Sequence, residues 1–328
     1  MTRKNFFPQK VKAFNVQRKR NVLQIIEAMK QTAFQGRRLA QVVDVWSKMV
    51  SDKKVTIFLG YAGSLSTAGQ WRGICWLIEN GFVDVIVATG ANLSEDIVEA
   101  MGKSYYQING NFDDEWLLKN NCNRYYDIYG KEKDYMQMTE LIADFILTLE
   151  NNHPFFCPAI IDSPYGDAGL IAKSKGFNLI IDSMKDYIEF MSLAKEIKET
   201  GVIYLGGGVP KDFIQLLAVT ANLLYDNREV PNKKVKIKRI IDKEIKESYY
   251  PHKYAIQITT DAPQWGGLSG CTFEEAISWG KIDSRGNFVQ CYCDVTIALP
   301  IILHALSLKV NKKRKRTLFN FYGPVAQW

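Results

Sequence analysis

Histidine is scarce in this chain of 328 residues: only three occur, at positions 153, 252 and 304, far apart and not at metal-ligand spacing. No metal is therefore expected. The six cysteines (75, 122, 157, 271, 291 and 293) form no CxxC pair, and three fall in strand-like apolar runs such as FFCPAII and FVQCYCDV, so they read as buried free thiols. No apolar run is long enough to cross a bilayer, and none follows the basic start MTRKNFFPQK as in a secretory signal. The expectation is a soluble, cytoplasmic protein with no membrane partner. Internal repeats and low-complexity segments are also lacking. Whatever chemistry the chain performs must use other groups.

Hydrophobic residues make up 47% and charged residues 23%, enough to bury a substantial core as one large α/β domain or two smaller ones. The formal net charge is +7, with the excess concentrated in KNFFPQKVKAFNVQRKR, NKKVKIKRIIDKEIK and KVNKKRKR. Such runs are more often solvated faces and end segments than nucleic-acid sites, so nucleic acid is not the expected partner.

Periodicity orders the chain. The stretch VLQIIEAMKQTAFQGRRLAQVVDVWSKMV has apolar residues at three- and four-residue spacing and reads as a helical region without a strand partner. Short runs rich in β-branched residues then alternate with helical stretches: KVTIFLG, VDVIVAT, PAIID, NLIIDS, GVIYLGG, YAIQITT and FVQCYCDV read as strands. Nearly continuous apolar strands separated by helices predict a doubly wound α/β fold with a mainly parallel, Rossmann-like sheet. The stretch NGNFDDEWLLKNNCNRYYDIYGKEKDYMQMTE interrupts the alternation and reads as a partly helical insertion. The implied organisation is an N-terminal helical arm over 1–50, a catalytic α/β domain over 51–308 and a basic tail over 309–328.

In such sheets ligands bind beyond the carboxyl ends of the strands. Five strand exits are rich in glycine, small hydroxyls and carboxylates: GYAGSLSTAG, TGANLSED, DSPYGDAG, GGGVPKD and TTDAPQWGGLSG. GGGVPKD lets backbone approach a diphosphate at a helix N-terminus, but it is not GxGxxG, and a plain tight turn explains it as well. TGANLSED repeats the design at another exit, which favours a nucleotide cofactor, with Thr89 and Glu95 as candidate contacts. Asp162, Asp167 and Asp261 bring carboxylates to these loops. Each has an ordinary turn-forming role beside Pro or Gly, yet together with tryptophan they suit a cationic amine ligand.

TFEEAISWGKI, residues 272–282, carries a capping box of Thr272 and Glu275, places Glu275 and Trp279 on one helix face, and ends the helix at Gly280. Lys281 follows directly. It is either a cation favouring the helix dipole or a nucleophile, and the second role requires loss of its proton through desolvation or a neighbouring cation.

TFEEAISWGKI, with TIFLGY, VDVIVATGANLSED, CPAIIDSPYGD, YLGGGVPKD and CYCDVTIALP, resembles the deoxyhypusine synthase family, including its homospermidine synthase offshoot. The likeness runs from FNVQRKRNVLQ to residue 308. It implies an NAD-dependent transfer of a 4-aminobutyl group: spermidine gives a hydride to NAD, the imine loses diaminopropane, and Lys281 takes the butylamine as a Schiff base. An acceptor amine then displaces the lysine and the hydride reduces the new imine. Putrescine as acceptor yields homospermidine; a lysine of a translation factor yields deoxyhypusine. Position by position, the resemblance assigns NAD contacts to Gly63, Ser64, Thr89, Gly90, Glu95, Asp162, Gly206, Gly207, Gly208, Thr260, Asp261, Gly266, Asp294 and Val295. It assigns polyamine contacts to Asp167, Glu275 and Trp279, and it implies a homotetramer with active sites at a dimer interface. The chain departs from the family pattern at three places: Asp212 stands where a histidine is usual, Leu268 where a carboxylate is usual, and Ser64 where an asparagine is usual. Asp212 thus joins the candidate amine contacts. The expected activity is that of a homospermidine synthase-like aminobutyltransferase, with deoxyhypusine synthase proper as the alternative and a non-catalytic basic binding protein as the alternative from another class.

Overall fold

The computed structural model describes residues 9–108, 110, 113–148, 157–177, 180–195, 197–224 and 251–310. Five of the apolar runs form one parallel sheet, from β1 (Val55–Tyr61), β2 (Val85–Ala88), β6 (Glu199–Leu205), β7 (His252–Thr259) and β8 (Ile282–Tyr292), in the order β2-β1-β6-β7-β8. Alternate residues of each strand enter opposite cores because successive side chains point to opposite faces. Ile57, Leu59, Ile203, Leu205, Ile256 and Ile258 face a layer of α1 (Val22–Met29), α2 (Phe34–Ser51), α3 (Trp71–Glu79) and α11 (Val295–Lys309). Phe58, Val202, Tyr204 and Ala255 face α8 (Ser183–Ser192), α9 (Gly208–Leu224) and α10 (Phe273–Ser278). The sheet is doubly wound, as its near-continuous apolar strands predict.

A third, smaller core joins α4 (Gly90–Ala100), α6 (Glu132–Thr148) and α7 (Pro164–Ser174) through Val98, Met138, Ile142, Ala168 and Ala172. The insertion is more than a helical excursion. Besides α5 (Asp114–Lys119) and α6 it carries an antiparallel sheet of β3 (Tyr106–Gln107), β4 (Cys122–Tyr125) and β5 (Ile128–Lys131), in the order β3-β5-β4.

One expected strand is not a strand, and a second shows none among its described residues. PAIID, bracketed by Pro158 and Pro164, forms turns that lead into α7, where Ser163 caps the helix by accepting from Tyr165 N. Proline cannot donate to a ladder, and Ile161, 73% exposed, has no sheet to enter. Of NLIIDS, residues 180–182 are not in a strand, and Ile180 is likewise exposed, while 178–179 lie outside the described residues. The N-terminal helical region is two helices, separated at residues 30–33, where Phe34 takes a φ of 52°. The basic run at 232–246, nearly all of the tail over 309–328, and residues 1–8 lie outside the described residues. Among the described residues, no helix is long and apolar enough to cross a membrane.

The strand order has a consequence for binding. From β1 the chain moves to β2 on one side, and it later crosses back over β1 to lay down β6, β7 and β8 on the other. The order reverses between β1 and β6, which opens a crevice beyond their carboxyl ends.

Candidate active site

The crevice is built from glycines at the two strand exits. After β1, Gly63 has a φ of +87°, and a Cβ placed there would meet nothing. After β6, Gly206 (φ +77°) and Gly208 (φ +62°) turn the chain into the first residue of α9. Gly208 also faces open space, whereas Gly207 lies against the next loop: a Cβ there would come 2.4 Å from Ser269 Cα. Backbone free of side chains at a helix N-terminus is suited to a phosphate group.

On the β2 side, Thr89 precedes α4 and Gly90 begins it. A Cβ on Gly90 would lie 2.3 Å from Ser163 Oγ, so this glycine seats the 157–163 segment rather than facing open space. Asn92, fully buried, stitches the loops together: its Oδ1 accepts from Leu65 N at 3.1 Å and its Nδ2 donates to Thr89 Oγ1 at 2.9 Å. Ser64 Oγ donates to Glu95 Oε1 at 3.1 Å. Glu95 is 5% exposed, and among the described residues its Oε2 has no hydrogen-bond partner, an acceptor left over in the crevice wall. Burial pushes its carboxyl up to about 7, against hydrogen bonds from the Ser64 hydroxyl and the Thr67 backbone N–H. This orphaned oxygen, with the open glycines at the switch point, fits a dinucleotide whose ribose hydroxyls donate and whose phosphates meet backbone N–H groups.

Other expected cofactor contacts already serve the loops. Asp261 Oδ2 accepts from Ser269 Oγ at 2.7 Å and its Oδ1 from Ala262 N at 2.9 Å. Asp294 caps α11 by accepting from Thr296 N, and the Thr296 hydroxyl holds its carboxyl below the usual range. Val295 is the first residue of α11, Thr260 is exposed after β7, and Gly266 takes a φ of 71°. Asp162 and Asp167 are exposed at the start of α7, and the Tyr135 hydroxyl of the insertion hydrogen-bonds Asp167.

Lys281 is fixed by local geometry. Thr272 Oγ1 accepts from Glu275 N at 3.1 Å at the start of α10. At its end Gly280, with a φ of +78°, donates to Ile277 O while Lys281 N donates to Ala276 O, both at 2.9 Å. These two bonds are a Schellman closure, in which the residue after the glycine reaches back over the last turn. Lys281 O then accepts from His252 N at 2.9 Å and β8 begins. The lysine therefore stands not at a strand exit but just before β8, whose first residue pairs with the first residue of β7. Its Nζ lies 2.8 Å from Asp212 Oδ1 and 5.7 Å from the centre of the Trp279 ring. Asp212 is four residues into α9 from Gly208, about 6 Å of axial rise. One helix thus links the glycine cradle to the lysine. Glu275 and Trp279 are both exposed beside it, and among the described residues Lys281 Nζ bonds to Asp212, not to Asp162 or Asp167.

Beneath the pair lies a polar network that carries no sequence motif. Lys211, fully buried, donates to Gln257 Oε1 at 3.0 Å, Leu268 O at 3.2 Å and Cys271 O at 2.7 Å. Burial pulls its amine down to about 8. Gln257 Nε2 donates to Gly206 O and Ser269 O, and Gln290 Nε2 to Gln257 Oε1 and Cys271 O. The network pins the 260–272 loop to the glycine cradle. Its only sequence signal is a lysine inside GGGVPKD, which reads as a surface cation until the helix is placed.

Comparisons with known proteins bear on the same residues. The family model described as deoxyhypusine synthase matches residues 24–153 and 147–306. The protein named "Probable deoxyhypusine synthase 2" of Methanosarcina mazei is 37% identical, over 93% of this chain and 92% of its own. Its namesake from Archaeoglobus fulgidus is 38% identical, over 89% of this chain and 99% of its own. A structure titled "Crystal Structure of a putative deoxyhypusine synthase from Entamoeba histolytica" superposes with a TM-score of 0.57 at 18% identity, over 92% of this chain and 98% of that one, a likeness of fold. With the family model spanning both the crevice and the lysine, and relatives above 30% identity along most of the sequence, the chain belongs to the deoxyhypusine synthase family, a family of aminobutyltransferases.

Proposed function

We propose that the protein moves a 4-aminobutyl group from spermidine, or a related polyamine, to a free amine such as putrescine, through an imine on Lys281. The observation that carries this reading is the constellation at the end of α10: an amine at a fixed Schellman position, 2.8 Å from the Asp212 carboxylate and over the Trp279 ring. Carboxylates and an aromatic face are what an alkyl diammonium ligand needs. NAD, when bound, accepts hydride from the donor and returns it, so that no net oxidation occurs. Lys281 attacks the oxidised donor carbon as diaminopropane leaves, and the acceptor amine displaces Lys281 in turn. Glu275, Trp279, Asp212 and Asp167 hold the ammonium groups and alkyl chain. Glu95, Ser64, Gly63, Thr89, Gly90, Asp162, Gly206–Gly208, Thr260, Asp261, Gly266, Asp294 and Val295 hold or shape the dinucleotide site.

Two observations favour a free amine over a protein lysine. Asp212 adds an anion beside the nucleophile, suited to a small cation. The M. mazei proteins named probable deoxyhypusine synthase 1 and 2 are 31% and 37% identical to this chain, so the likeness is greater to the second protein of an organism holding both. The names of these relatives support the other reading, transfer to a lysine of a translation factor. Exposed Trp265 and Leu268 on the loop after β7, with exposed Trp279 beside the lysine, support self-association, with a second copy covering the site in a homotetramer. The test incubates protein, NAD and labelled spermidine with putrescine or with the factor, and identifies products by mass spectrometry. Labelled homospermidine is expected. Label on the factor alone would replace this reading with the other.

A further inference from the structure

We infer that Asp212 is a gate on Lys281, holding its amine in an ion pair until the ammonium group of a bound amine substrate takes the carboxylate over. The inference rests on Lys281 being the nucleophile. An amine in an ion pair has no free lone pair, so the 2.8 Å contact shown here is the resting form rather than the reacting one.

The two partners are held unequally. Lys281 is fixed through its backbone by Ala276 O and His252 N, but its Nζ makes a single hydrogen bond among the described residues, to Asp212. Asp212 sits on α9 next to Lys211, whose three bonds anchor that turn. With both backbones anchored, the short Asp212 side chain has little room to move, whereas the flexible four-carbon stem of Lys281 lets its amine swing away from the carboxylate. The Lys281 side chain is 14% exposed and that of Asp212 is 32% exposed, so an incoming cation reaches the carboxylate first. Oδ1 meets Lys281, and Oδ2 has no hydrogen bond among the described residues.

An ammonium binding there weakens the hold on Lys281 and places a second cation beside it. Like charges at that distance disfavour two ammonium groups, so Lys281 gives its proton to water reaching the partly exposed pair. Its nitrogen is then ready for the donor carbon. Before substrate arrives, the same ion pair keeps a reactive amine from forming imines with stray carbonyl compounds.

The experiment is reductive methylation with formaldehyde and cyanoborohydride, which proceeds through an imine and so reports the free amine. Labelling is read by peptide mass spectrometry at Lys281 and, as an internal reference, at exposed Lys54. It is run at one pH on the parent and on Asp212→Asn, without NAD. Losing a charge-assisted bond should speed Lys281 labelling about tenfold or more in the variant, with Lys54 unchanged. A second arm adds N,N,N′,N′-tetramethyl-1,4-diaminobutane, a dication that can pair with Asp212 but cannot form an imine. It should speed Lys281 labelling in the parent and leave the variant unchanged. Equal Lys281 rates in parent and variant, or no acceleration of the parent by the diamine, would overturn the gate; the second arm holds even where the variant does not fold. Neither arm needs catalytic transfer. A parent that passes both yet transfers nothing refutes the proposed function alone, and an active enzyme that fails them refutes the gate alone.

Discussion

Lys281 and Arg carry the same charge, and at the end of α10 both would satisfy a helix dipole and an acidic neighbour. They part company in chemistry, because a guanidinium stays protonated and forms no imine. Lys281→Arg should therefore keep the fold and dinucleotide binding, yet lose transfer by several orders of magnitude in a spermidine cleavage and transfer assay. An active Arg variant would sink the imine mechanism. Glu95 poses a different question, since its carboxyl is pushed up to about 7 by burial. Its folded value lies above its unfolded value near 4.5, so the neutral acid is favoured in the fold. That contribution is complete below about 4.5 and is lost as pH rises through about 7, by roughly 3 kcal/mol in all. Denaturant melts of the unliganded protein should show this slope, and Glu95→Gln should flatten it. A ligand hydroxyl needs the carboxylate as acceptor, so NAD affinity should rise over the same window in the parent only. Both residues were legible in the sequence, because each sits in a motif with a mechanical reading, Glu95 in the first turns of α4 and Lys281 just after α10. Asn92, Lys211, Gln257 and Gln290 were not. Amides and a lone lysine carry no spacing signal, and their work depends on burial, which only the packed sheet creates.

At the scale of elements, α10 has six residues and is held at both ends by caps rather than by length. Its C-terminal closure needs Gly280 in a left-handed conformation, where a Cβ costs about 1–2 kcal/mol. Gly280→Ala should lower stability by that amount. It should also disturb the exit of Lys281 and cut transfer more than dinucleotide binding, because the cradle at Gly206–Gly208 belongs to a different helix. An Ala variant with a lowered melting temperature and full transfer would separate the cap from the site. The cap, the helix and the lysine's position after it were all readable from TFEEAISWGKI. Strand reading was less even. KVTIFLG and YAIQITT became fully or nearly fully buried strands, whereas PAIID was apolar enough to suggest one but too closely bounded by prolines to join a ladder. The antiparallel β3-β5-β4 sheet was missed because its strands are only two to four residues long and mix apolar with polar side chains.

For the whole molecule, the sheet is stable only while both faces are covered. One face owes much of its cover to α2, whose Leu39, Val42, Val43, Trp46 and Met49 are all buried. Sequence periodicity shows such a helix to be amphipathic but not which surface it meets. Here it packs against β1, β7 and β8, so it completes the core over the strands that carry the site. Trp46 is fully buried, and its indole N–H has no hydrogen-bond partner among the described residues. Trp46→Ala should cost about 3–5 kcal/mol by leaving a cavity. Trp46→Phe should cost less, because it keeps much of the packing while removing an unsatisfied donor whose burial itself costs about 1–3 kcal/mol. Removal of residues 1–51 would strip α1 and α2 together, along with the ion pairs of Lys309 with Glu27 and Asp44 that tie α11 to them. That truncated chain should lose cooperative melting by circular dichroism and lose NAD binding, although it keeps every residue assigned to the site. A truncated protein that melts cooperatively and still binds the dinucleotide would show that the sheet needs no cover from α2, and that the crevice is built by the remaining elements alone.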